Sequence, residues 1–226
     1  MKVAYAIFGG ILGAALTIAP AFAATITWTD WTAATLGATT GTASGTAGSV
    51  GISYSGEVAG PTTINGTYPS WGPAGTFAGG PVANAPDVHD IIALTGGTAT
   101  GLNTITFSSA VTNPVISIWS LGQPGINAQF AFSDPFTIVA GGPSNEYGGS
   151  TITSVADTVF GAEGNGTIQF SGTFTSISWT NPVFENWYGF QVGVPGTAVP
   201  EPATLSLLGA GLAGLGILRR KRSRRA

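Results

Sequence analysis

Leu102-Asn103-Thr104-Ile105-Thr106-Phe107 and, beyond the Thr112-Asn113-Pro114 turn, Val115-Ile116-Ser117-Ile118-Trp119 decide the fold class of this chain. Residues i and i+2 of a strand share a face, so Ile105 and Phe107 point one way while Thr104 and Thr106 point the other. Ile116 and Ile118, and further on Ile177 and Trp179, repeat the arrangement with Ser between them. Working outward, period-two runs recur at Val50–Tyr54, Ala128–Phe132, Phe136–Val139, Thr167–Phe170, Phe174–Trp179 and Trp187–Val192. Gly, Pro, Asn and Asp separate them. Large apolar residues on one side and Ser or Thr on the other predict antiparallel sheets with one dry and one wet face. Eight or more such strands in one unit predict an all-β, jelly-roll-like antiparallel β-sandwich. Two segments are not read as regular strands. The Thr/Ala/Gly/Ser tract Thr35–Ser49 is a flexible excursion or a weak edge. The Gly/Pro-rich Ala59–Pro86 carries Tyr68, Trp71 and Phe77, which are expected to pin a long loop to the sandwich, with a ligand-facing role as the alternative.

Charge is distributed as unevenly as hydrophobicity. Of the seven Lys and Arg residues, one is Lys2 and six fall at Arg219, Arg220, Lys221, Arg222, Arg224 and Arg225. The stretch between Ala24 and Val199 holds none, yet it carries Asp30, Glu57, Asp87, Asp90, Asp134, Glu146, Asp157, Glu163 and Glu185. A body without a cation cannot clamp phosphates by side-chain charge, which argues against nucleic-acid binding. With no cysteine in the chain, disulfides contribute nothing.

Both ends read as addresses. Met1-Lys2, an apolar run to Ile18 and the small-x-small triplet Ala21-Phe22-Ala23 form a signal peptide over 1–23, with cleavage by signal peptidase after Ala23. The C-terminal block 197–226 follows the body at 24–196. It opens with Val199-Pro200-Glu201-Pro202, continues as the apolar stretch Ala203–Leu218 and ends in the six cations. As a single transmembrane helix the apolar stretch spans roughly 24 Å. That is short of a hydrocarbon core of about 30 Å, unless Arg side chains snorkel and the bilayer thins. The cations keep their end cytoplasmic and so place the acidic body outside. Gly209-Ala210-Gly211-Leu212-Ala213-Gly214 matches a dinucleotide fingerprint in letters only, having no strand before it.

In its order of motif, apolar helix and Arg-rich end, this tail resembles the PEP-CTERM sorting signal of Gram-negative bacteria. The resemblance implies recognition by an exosortase, cleavage near Pro200-Glu201-Pro202 and release or attachment of the body at the cell surface. It also implies association with exopolysaccharide and biofilm matrix, and a Gly-rich sandwich body of a kind common among such exported proteins. Two prolines fix φ on both sides of Glu201 and keep the motif extended. Gln123 through Trp187 resembles a domain often found in these proteins, Phe160-Gly161-Ala162-Glu163-Gly164-Asn165-Gly166 being its most distinctive part; no activity follows from it.

Catalytic signals are sparse. His89, flanked by Asp87 and Asp90, reads first as an exposed turn, with a Ca2+ or transition-metal site as the alternative. No Gly-x-Ser-x-Gly elbow accompanies His89, and the body offers no Arg or Lys to polarise a substrate. The expectation is a non-enzymatic surface or matrix protein. The competing expectation is a carbohydrate-binding or glycan-hydrolysing module that uses carboxylates and exposed Trp28, Trp31, Trp71 and Trp187, with Trp119 and Trp179 in the core.

Overall fold

The structure, a computed structural model, describes residues 23–66, 69–87, 89–97, 99 and 101–196. The expected signal helix, the transmembrane helix, Ala21 and Tyr68 lie outside them. Fifteen strands run through the described residues. They are β1 (Ile26–Trp28), β2 (Asp30–Thr35), β3 (Gly37–Ala47), β4 (Val50–Val58), β5 (Ile92–Leu94), β6 (Leu102–Thr112), β7 (Val115–Leu121) and β8 (Ala128–Phe132), followed by β9 (Phe136–Gly141), β10 (Ser150–Thr151), β11 (Thr153–Val155), β12 (Thr158–Gly161), β13 (Gly164–Phe170), β14 (Thr173–Thr180) and β15 (Tyr188–Pro195). An eight-stranded sheet has the order β11-β12-β8-β14-β6-β4-β3-β2. The seven-stranded sheet runs β1-β15-β7-β13-β10, with β5 also on β15 and β9 also on β13. The pairings are antiparallel apart from β10 with β13. The two sheets stack as a β-sandwich.

Every one of the eight period-two runs is a strand. Their large residues meet between the sheets around Trp179, which packs on Phe130, Phe132, Tyr54 and Phe190 at ring-centroid distances of 5.2–5.9 Å. On β6 the expected alternation holds: Ile105 and Phe107 are buried, Thr106 and Ser108 exposed.

The tract Thr35–Ser49 is a correction. Most of it is β3, whose Gly41, Ala43, Gly45 and Ala47 face inward while Thr42, Ser44 and Thr46 face solvent. The period of two is there, but its inward residues are too small to read as a hydrophobic face. They are small because neighbours press close: a Cβ on Gly45 would stand 2.2 Å from the Asp30 carbonyl oxygen.

A second difference concerns β7, buried on both faces including Ser117. The cover is Ala59–Pro86. Its short helix α1 (Ala74–Phe77) packs on β13 and β9, and Trp71, Phe77, Ile91 and Trp119 form one cluster. Ser117 and Thr167 bond through their hydroxyls at 2.7 Å, and Thr167 Oγ1 also donates to the Phe77 carbonyl at 2.7 Å. The loop is therefore a third layer over the seven-stranded sheet, held by its own aromatics.

Candidate functional site

The chemically richest part of the body is one end of the sandwich, where the β7–β8 turn, the β12–β13 turn and the β14–β15 connection converge. Close backbone contact shapes it. Gly122 has φ +76°, and a Cβ there would lie 1.9 Å from the Gly161 carbonyl oxygen, so only glycine lets the two turns meet. Glu163 sits at φ 59° between them, its N–H donating to the Gly122 carbonyl at 3.1 Å. Its Oε2 accepts from Ser120 Oγ at 2.7 Å.

Glu185 arrives from the β14–β15 connection and is buried to 3 % exposure. Its Oε1 accepts the Trp187 N–H at 3.2 Å, while Oε2 has no partner among the described residues. Half-buried Trp187 packs on Trp119 at 4.6 Å, and exposed Tyr147 lies 5.4 Å from the same indole. Burial, reinforced by the Glu163 charge against the opposing Trp187 and Gly122 N–H groups, raises the Glu185 carboxyl to about 7. A carboxyl that keeps its proton near neutrality thus stands close to a second carboxylate.

This has a consequence for stability. The carboxyl's ordinary value is 4.5, so above that pH the unfolded chain has released a proton that the folded one retains. The contribution is fully present below about 4.5 and is lost as pH rises through about 7. Asp90 and Glu146 are also raised by burial and act in the same direction. Exported body should melt roughly 5 °C lower at pH 8 than at pH 4.5, a loss on the order of 2 kcal/mol. Glu185→Gln should flatten most of that slope in a thermal-melt series. A wild-type slope of zero or opposite sign would contradict the assignment.

The residues singled out from sequence fare differently. Asp90 turns inward, accepting from the Trp31 N–H at 2.9 Å and the Asn65 N–H at 2.7 Å. His89 Nδ1 instead lies 2.8 Å from the Gly66 carbonyl oxygen, and Asp87 Oδ1 accepts the His89 N–H at 3.2 Å. Asp87, His89 and Asp90 therefore serve the local backbone, and among the described residues no three His, Cys, Asp or Glu side chains converge as a metal set. The four-Trp platform also needs correction. Trp31 and Trp71 are buried, their indole N–H groups donating to Gln191 Oε1 and the Asp90 carbonyl. Trp28 is half-buried opposite Gly193, well along β15 from Trp187. Trp119 and Trp179 are in the core as expected. Nothing linear in the sequence pairs Glu163 with Glu185, although the first lies within Phe160–Gly166, the most distinctive part of the segment that resembles a known domain.

Val199, Pro200, Glu201, Pro202 and the six terminal cations lie outside the described residues, and among the described residues no helix is long and apolar enough to cross a membrane. The described residues end at Gly196, whose N–H donates to the Thr25 carbonyl at 2.8 Å. Residues 198–222 match the PEP-CTERM protein-sorting motif. The motif marks the chain as an exported, exosortase-sorted substrate. Comparison with curated proteins and with solved structures gives no match.

Proposed function

We propose that this exosortase substrate is a non-enzymatic surface or matrix protein whose anionic body associates with exopolysaccharide in a biofilm. The observation that carries the reading is the PEP-CTERM motif over 198–222. On this reading signal peptidase cuts after Ala23, Ala203–Leu218 anchors the chain transiently in the inner membrane, and Arg219–Arg225 hold the topology. Exosortase action near Pro200-Glu201-Pro202 then delivers the body to the cell surface or beyond. The body is jelly-roll-like. Two runs of neighbours support this, β1-β15-β7-β13 in one sheet and β6-β14-β8-β12 in the other. That is the neighbour order of an eight-stranded jelly roll, to which β2–β4 add an extension.

A second reading, a glycan-hydrolysing module, draws on one arrangement: Glu185 protonated near neutrality beside Glu163, with Trp187 and Tyr147 close by. A general acid needs a carboxyl that holds its proton near neutrality, and burial gives Glu185 that property. The two readings part in one experiment. Purified body is incubated with the matrix polysaccharide of its host, then sedimented and sized. Co-sedimentation with unchanged polymer length is expected; shortening of the polymer would replace the first reading with the second.

A further inference from the structure

Both membrane-directed segments leave the same end of the sandwich, the one opposite Glu163 and Glu185. Ala24 is fixed there by its N–H to the Pro81 carbonyl at 2.8 Å, and the Ala83 N–H donates to the Ala24 carbonyl at 3.0 Å. Gly196 is tied to Thr25 beside it. Between these exits lies a groove of about 510 Å³ whose walls include Ala24, Val50, Ala110, Asn113, Gln169 and Gly196. Among the described residues no charged side chain lines it, in a body that has nine carboxylates.

The tether beyond Gly196 is short. Residues 197–202 are all that separate the last strand's end from the apolar stretch at Ala203. Fully extended, six residues reach about 20 Å. The Pro200-Glu201-Pro202 motif lies inside that reach, so an enzyme gripping it has the folded end of the body within one or two side-chain lengths. The geometry points to the grooved end as the surface that seats against the exosortase's extracytoplasmic face during tail removal. The inference rests on the exosortase reading and adds a body surface to the linear motif. An uncharged, partly apolar groove suits a protein partner. It has no cation for an anionic headgroup, so the bilayer itself is the poorer fit.

The test is a pulse-chase of tail removal in cells that hold the exosortase, using the full chain. Ala110→Trp and Gln169→Trp fill the groove from an exposed and a half-buried strand position, and thermal melts confirm that each variant folds. Each is expected to slow tail removal about tenfold by misplacing the motif. Asn186→Trp, at the opposite end, is expected to leave the rate unchanged. Twelve Gly and Ser residues inserted after Gly196 should make the rate indifferent to both groove variants. Wild-type rates for the groove variants would overturn the docking surface while leaving exosortase processing intact, as would equal slowing with and without the insert. No tail removal from the wild-type chain would overturn the exosortase reading and this surface together.

Discussion

Asn103→Ala should cost the body about 3–4 kcal/mol, a large share of the stability of a domain this size. Asn103 is fully buried on β6, where its amide links four neighbouring strands. Oδ1 accepts the Glu57 N–H at 2.9 Å and lies 2.6 Å from the Tyr54 hydroxyl, both on β4. Nδ2 donates to Asn181 Oδ1 at 2.9 Å, which also accepts Trp179 Nε1 at 2.8 Å. Asn181 Nδ2 then donates to the Gln129 carbonyl on β8 at 2.8 Å. The chain of bonds also crosses between sheets, because the Glu57 carboxylate accepts the Thr95 and Gly96 N–H groups at 2.9 Å, just past β5. Truncation leaves a donor on Glu57 and an acceptor on Asn181 underserved in a dry interior, which is costlier than losing one bond. Gly56 fits the same network: a Cβ there would stand 2.2 Å from Asn103 Oδ1. Urea denaturation should show a lower midpoint at unchanged slope. Thr106→Ala, three residues on and exposed, should stay within about 0.5 kcal/mol of wild type. Equal effects from the two variants would contradict the network's role.

How far the sequence could be read depended on side-chain size and on whether a feature is linear. Strands such as β6 and β14 were legible because Ile105, Phe107, Ile177 and Trp179 mark one face at a period of two. β3 was opaque: Gly41, Ala43, Gly45 and Ala47 keep the same period, but close neighbours allow nothing large enough to reveal it. Ser117 looked like a wet-face residue by its place between Ile116 and Ile118. Its burial depends on a layer supplied by Ala59–Pro86, and strand periodicity carries no information about what lies across the outer face. Glu163 and Glu185 belong to different turns and meet only through topology. The sorting signal is the reverse case, since an extended motif followed by an apolar run and cations is read in order along the chain.

The second large effect is expected there. Replacing Pro200, Glu201 and Pro202 together with Ala removes the fixed φ values, restores two backbone N–H donors and deletes the one charge of the motif. The new residues also favour helix, so the apolar stretch could extend backwards into the recognition site. Tail removal should fall below detection, and the body should stay in the inner-membrane fraction by its uncut anchor. Membrane and surface fractionation reads this directly, and a motif variant that still reaches the surface would contradict it.

The central claim is that the tail is a temporary tether and that the finished protein is the anionic body alone. Intact-mass determination of the exported product, from a host with an active exosortase, measures this most directly. The account predicts a mature N-terminus at Ala24 and a C-terminus no further than Pro202, with Ala203–Leu218 and every cation from Arg219 to Arg225 gone. An exported product that retains those cations would contradict it.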